Sequence, residues 1–149
     1  MKIKLAHIGI AVNSLDEGGK VYEILGLKRA YTEVVESEKV KVVGYKLDND
    51  CELEFLKETC EQSAIARFKQ KKGPGIHHIC LEVDDIHEAL KLLKKEGVRL
   101  VGDVPRRGAN NCLVAFVHPS AAGGVLIELS QKQLEKNLFC IDRPKSQEI

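Results

Sequence analysis

His7-Ile-Gly-Ile-Ala-Val12 and His78-Ile-Cys-Leu-Glu-Val83 decide the fold, because a shift of 71 positions lays one stretch on the other. The same shift carries Leu15 onto Ile86, Glu17 onto Glu88, Gly26 onto Gly97 and Lys28 onto Arg99. A register held across a strand, a helix cap, a helix and its terminal glycine marks a duplication. Each copy begins with an alternating strand, in which Ile3, Leu5 and His7 point to one side and Ile8, Ile10 and Val12 to the other. Ser14-Leu-Asp-Glu17 and Asp85-Ile-His-Glu88 then read as capped helix starts. In the second helix Ile86, Ala89, Leu90 and Leu93 form an apolar stripe that ends at Gly97. The first carries Gly18 and Gly19, which lower its propensity, and leans on Val21, Ile24 and Leu25.

Three β-rich segments follow each helix, at about 27–34, 40–47 and 51–57, and again at about 98–104, 112–117 and 124–130. The predicted fold class is therefore α+β, with two tandem βαβββ modules forming an eight-stranded curved half-barrel. The expected organisation is one domain over residues 1–149: repeat 1 at about 3–58, a connector at 59–73, repeat 2 at about 74–131 and a tail at 132–149. Ile65 and Phe68 stand at helical spacing in the connector, which ends in Lys72-Gly-Pro-Gly75 as a hinge. The tail reads as a short helix followed by a disordered Asp142-Arg-Pro-Lys-Ser-Gln-Glu148.

Lys plus Arg number 23 against 22 Asp plus Glu, so the charge balance carries no footprint for nucleic acid or a membrane surface. The N-terminus reaches His7 and Gly9 before a signal-peptide core can form, and no apolar run approaches membrane-spanning length, so the expected location is cytoplasmic. The cysteines at 51, 60, 80, 112 and 140 contain no Cys-x-x-Cys pair and read as buried reduced thiols.

Alternation also selects candidate ligands. Leu53 and Phe55 share one face of their strand and leave Glu54 on the other; Val125, Ile127 and Leu129 do the same for Glu128. His7 and His78 face inward at equivalent places. A single inward histidine is usually a satisfied core group, and a single glutamate in an apolar strand is costly unless paired. Four such residues at symmetry-matched positions favour one divalent metal ion, with Co, Mn, Ni, Zn and Fe(II) all compatible with two imidazoles and two carboxylates. By the same alternation His77 points away from the site. His87 falls on the exposed side of its helix, and His118 precedes Pro119 in a turn.

The duplicated unit resembles the vicinal oxygen chelate superfamily and, within it, the methylmalonyl-CoA epimerases. The resemblance rests on His7-Ile-Gly-Ile-Ala-Val12, Gly73-Pro-Gly-Ile-His-His-Ile-Cys-Leu-Glu-Val83, Val117-His-Pro119 and Gly123-Gly-Val-Leu-Ile-Glu-Leu129, and covers about residues 3–131. It implies metal ligands at His7, Glu54, His78 and Glu128, with cobalt favoured, an acyl-CoA substrate and a homodimer. The reaction it implies is interconversion of (2R)- and (2S)-methylmalonyl-CoA by proton abstraction at C2 through an enolate that the metal stabilises. Glu128 is the expected base on one face, and Glu54 the local candidate on the other, with Glu36 and Glu38 in a nearby loop. Gly108-Ala-Asn-Asn-Cys112 departs from the Gly-Ala-His-Gly usual in that family and is expected to line the substrate mouth, where Arg106 and Arg107 can meet CoA phosphates.

Two other readings use the same scaffold. A glyoxalase I-like lactoylglutathione lyase would employ the same two-His, two-Glu site, although the arginine that usually follows the first histidine is missing from Ile8-Gly-Ile-Ala-Val12. A non-catalytic small-molecule-binding member would keep the cavity and lose the ligands. A ring-cleaving dioxygenase fits poorly, since Glu54 as a fourth ligand would block an oxygen-binding position.

Overall fold

The chain adopts, in a computed structural model that describes residues 1–134, two βαβββ modules joined edge to edge. The first comprises β1 (Ile3–Ala11), α1 (Leu15–Ile24), β2 (Arg29–Val35), β3 (Val40–Lys46) and β4 (Glu52–Glu58). A connector helix α2 (Ala64–Lys72) leads to β5 (Gly75–Val83), α3 (Ile86–Lys95), β6 (Leu100–Arg107), β7 (Cys112–Val117) and β8 (Leu126–Lys132). All strands form one sheet in the order β2-β3-β4-β1-β5-β8-β7-β6. In each module the closing strand returns to lie parallel beside the opening strand, β4 on β1 and β8 on β5. The modules meet through the antiparallel β1–β5 pair. The expected tail lies outside the described residues from 135 onward. Among the described residues no helix is long and apolar enough to cross a membrane.

The caps form as the sequence predicts. Ser14 Oγ accepts from Glu17 N–H and Asp85 Oδ1 from Glu88 N–H. Both helices end alike: Gly26 N–H and Leu27 N–H donate back to Glu23 and Tyr22, and Gly97 N–H and Val98 N–H to Lys94 and Leu93. That pattern needs a left-handed residue after the helix, and both glycines have positive φ.

On the outer face of the sheet, α3 buries Ile86, Ala89 and Leu90 against Val83, Ala115, Val117 and Leu129. α1 covers Val12, Val43, Tyr45 and Phe55 differently from expectation: Val21, Ile24 and Leu25 are all exposed. Its packing face is instead Leu15, Tyr22 and the two glycines, because a Cβ on Gly18 would press on Val12 and one on Gly19 would strike the Tyr45 hydroxyl. The residues that weaken the helix are those that let it approach the sheet. α2 packs on the inner face, setting Ile65 and Phe68 against Val40, Val42 and Leu56. It is pinned by Lys69, whose Nζ lies 2.7 Å from Glu58 Oε2 and donates to Val12 O at 3.0 Å.

The β1–β5 ladder slips twice. The register passes from Leu5↔Leu81 to His7↔Cys80, leaving Ala6 unpaired, and from Gly9↔His78 to Ile10↔Ile76, leaving His77 unpaired. Ala6 and His77 are themselves 71 residues apart, so each copy carries a β-bulge immediately before its inward histidine.

Candidate metal centre

Register places the four candidate ligands in two adjacent rows across the inner face. One row runs Tyr31, Gly44, Glu54, Gly9, His78 from β2 to β5. The next runs Glu52, His7, Cys80, Glu128, Phe116 from β4 to β7. Side chains in one row share a face, so His78 leans over Gly9, where a Cβ would clash with the imidazole ring.

His7, Glu54, His78 and Glu128 converge from both modules. His7 Nε2 lies 2.9 Å from His78 Nε2, 3.3 Å from Glu54 Oε2 and 3.5 Å from Glu128 Oε2, and His78 Nε2 lies 3.4 Å from Glu128 Oε2. The side chains are at most one-fifth exposed. The donor atoms form two overlapping sets that share His7, one of His7, Glu54 and His78 and one of His7, Cys80 and Glu128, each within 4.8 Å of one another, and such crowding of buried carboxylates and imidazoles calls for a shared proton or a cation. Donors each about 2.1 Å from a common ion stand roughly 3.0–3.4 Å apart, close to these separations, so the donor set fits a divalent metal.

The electrostatics follow from this crowding. Burial pushes His78 down to about 4, with neighbouring His7 and His77 acting the same way. Burial also opposes a charge on His7, but contacts with Cys80, Glu128 and Glu54 outweigh it and push the group up to about 11. Glu54 is raised by burial, whereas burial of Glu128 is more than offset by His7 and His78, which hold it below the usual range.

A cavity of about 390 Å³ opens on one side of the four residues, walled by Val40, Val42, Leu56, Ile65, Val114 and Phe116. A second, of about 580 Å³, opens on the other side and is lined by Lys4, Lys46, Glu52, Glu82 and Lys132. Ala109, within the loop expected at the mouth, borders both. Arg106 does not stand free: its guanidinium lies 3.2 Å from Glu38 Oε1 and 5.3 Å from the centre of the Phe116 ring, joining the two modules across the first cavity. Glu36 does not border either cavity.

His77 corrects the expectation from alternation. The bulge turns it to the inner face, where its Nδ1 lies 3.0 Å from His78 Nδ1 and its ring meets Phe68 edge-on. His78 therefore has one ring nitrogen toward the centre and the other toward His77, the arrangement by which an outer partner fixes a ligand imidazole. His87 is exposed, and His118 Nδ1 accepts from Ser120 N–H in its turn, both as expected. Cys80, read as a buried reduced thiol, is buried; it also donates to Ser130 Oγ at 3.3 Å and offers its sulfur within 4.8 Å of His7 and Glu128 donor atoms. Tyr31 was also invisible to alternation within a strand: its hydroxyl reaches Glu54 Oε1 at 2.6 Å from two strands away. The detectable signal for such close approaches was a glycine inside a strand, at Gly9 and at Gly44.

Comparison with known proteins agrees with this geometry. The family model of the Glyoxalase/Bleomycin resistance protein/Dioxygenase superfamily matches residues 6–116. The mitochondrial methylmalonyl-CoA epimerase of Dictyostelium discoideum is 39% identical over 131 residues, covering 87% of this chain and 78% of that protein. An ethylmalonyl-CoA/methylmalonyl-CoA epimerase of Cereibacter sphaeroides is 37% identical over 131 residues, covering 86% and 97% respectively. A solved methylmalonyl-CoA epimerase in complex with methylmalonyl-CoA and NH4+ superposes with a TM-score of 0.78 at 31% identity, over 89% of this chain and 96% of that one. The chain belongs to the Glyoxalase/Bleomycin resistance protein/Dioxygenase superfamily.

Proposed function

We propose that this protein is a metal-dependent epimerase that inverts C2 of methylmalonyl-CoA, with His7, Glu54, His78 and Glu128 as its metal ligands. The observation that carries the proposal is the convergence of two imidazoles and two carboxylates from both modules beside an apolar-walled cavity. Relatives named as epimerases of this substrate, similar along most of the chain, support the same reading. The C2 proton lies between a thioester and a carboxylate, and its removal places negative charge on the thioester oxygen. A divalent ion held by the four ligands supplies an electrophile for that oxygen.

The chain's own residues do the remainder. Glu128 takes the proton on one face; its ionised form is favoured by His7 and His78, so it is ready to accept. Glu54 comes from the opposite module and is the carboxylate placed to serve the other face. Apolar side chains from β3, β4 and β7 exclude water from the planar intermediate. Arg106, at the mouth, is the candidate contact for CoA phosphates. The same reading takes residues 1–149 as one domain, cobalt as the resident metal, and a cytoplasmic homodimer as the working form. Ethylmalonyl-CoA is the nearest alternative substrate, in keeping with the name of the Cereibacter relative.

The test follows C2 hydrogen exchange by proton NMR in deuterated buffer, with Co²⁺-loaded protein and (2R)- or (2S)-methylmalonyl-CoA. Exchange with epimerisation in the wild type and its loss in Glu128→Ala are the expected outcome. A loaded wild type that leaves the C2 proton in place would overturn the proposal and direct attention to glutathione hemithioacetals.

A further inference from the structure

The two candidate carboxylate ligands occupy equivalent places in the duplication, yet their surroundings differ. Glu54 lies in the row Tyr31↔Gly44↔Glu54 across β2, β3 and β4. A side chain on Gly44 would block the path between its neighbours; a Cβ there would clash with the ring and hydroxyl of Tyr31. Because it is glycine, the phenol can pass over β3 and place its hydroxyl 2.6 Å from Glu54 Oε1, with Glu52 Oε2 next nearest at 3.0 Å. With Oε1 so engaged, Oε2 is the oxygen 3.3 Å from His7 Nε2.

In the second module the corresponding row is Val101↔Phe116↔Glu128. Phe116 stands where Gly44 stands in the first, and Val101 offers no hydroxyl. Among the described residues Glu128 receives no hydroxyl donor, and its close polar contacts are the two histidines. The duplication thus retained both carboxylates and, among the described residues, gave only Glu54 a hydroxyl donor.

We propose that Tyr31 is a positioning residue that orients the Glu54 carboxylate with one oxygen turned into the centre, a hydroxyl hold that Glu128 lacks among the described residues. The proposal rests on the assignment of these residues as metal ligands and adds a difference in how they are held. A ligand held by an outer hydrogen bond need not be ordered when the ion binds, so loss of the bond appears first in metal affinity. The phenyl ring is retained in Tyr31→Phe, so its packing is kept and only the hydroxyl contacts to Glu54 and Glu52 disappear.

The experiment titrates Co²⁺ into the metal-free full-length protein, following binding by calorimetry and by the visible absorption of the bound ion, with no substrate present. Tyr31→Phe is expected to weaken binding about tenfold and to alter the absorption band, while the melting temperature of its metal-free form stays at that of the wild type. Gly44→Ala, which evicts the Tyr31 ring from β3, provides an independent route to the same loss should the first variant not fold. In turnover, the loss in Tyr31→Phe is expected to be recovered by excess Co²⁺, whereas that in Glu128→Ala is not. A dissociation constant within threefold of wild type in Tyr31→Phe would overturn the positioning role while leaving the metal site standing. A wild-type protein that binds no Co²⁺ would overturn the metal site and the positioning role together.

Discussion

Gly9 shows how much of this site depends on one missing side chain. It pairs with Glu54 on one side and His78 on the other, and the imidazole of His78 occupies the space above it. The equivalent of Gly9 in the second copy is Cys80, beside His7, so the duplication has diverged at the residue under each histidine. Gly9→Ala is expected to push His78 out of line and lower Co²⁺ affinity by at least about tenfold, as measured by competition with a chromophoric chelator. The fold should survive, since alanine is tolerated in a strand. His7, Glu54, His78 and Glu128 were legible in the sequence because each is a polar residue on one side of an alternating strand. Tyr31 was not, because its link to Glu54 crosses a neighbouring strand and depends on pairing register.

At the level of elements, the connector helix and the bulges set the site. α2 lies on the inner face, its Lys69 bound to Glu58 and to Val12 O, and Phe68 meets His77 edge-on. Burial alone would raise the Glu58 carboxyl, but the Lys69 ammonium and the bonds around it hold it below the ordinary 4.5. A carboxyl whose folded-state pKa is depressed stabilises the protein fully above its unfolded value and loses that contribution as pH falls through the folded one. Glu58→Gln is therefore expected to cost at most about 1 kcal/mol at neutral pH, and the difference from wild type should shrink below pH 4.5. Urea unfolding of the two proteins across pH 3–7 measures this; roughly that pH span covers the titration of a carboxylate. The bulges at Ala6 and His77 are the counterpart in the sheet. Strict alternation sends His77 outward, and the extra residue turns it inward against His78.

Across the whole molecule, the site exists because two modules share one continuous sheet. Each supplies one histidine from its opening strand and one glutamate from its closing strand, so the four donors meet only if β1 and β5 pair in register. An ion held at that junction would bind the folded state and not the unfolded chain, and so would couple metal to stability. Removing it with a chelator is expected to lower the melting temperature by roughly 5–10 °C, taking an ion at about a hundred times its dissociation constant. Differential scanning calorimetry of the protein with and without Co²⁺ checks this. The effect should vanish in the double variant His7→Ala/His78→Ala.

The amino-acid sequence by itself determined the duplication, the two βαβββ modules, the helix caps and the four inward polar residues, because all of these are written in local periodicity and in a repeat at fixed spacing. Only the tertiary structure decided the bulges, the inner-face position of α2, the glycine face of α1, and the unequal surroundings of Glu54 and Glu128. Those depend on which strands lie side by side and on how closely backbones approach. Period-two alternation carries no information about a residue two strands away, which is where Tyr31 acts.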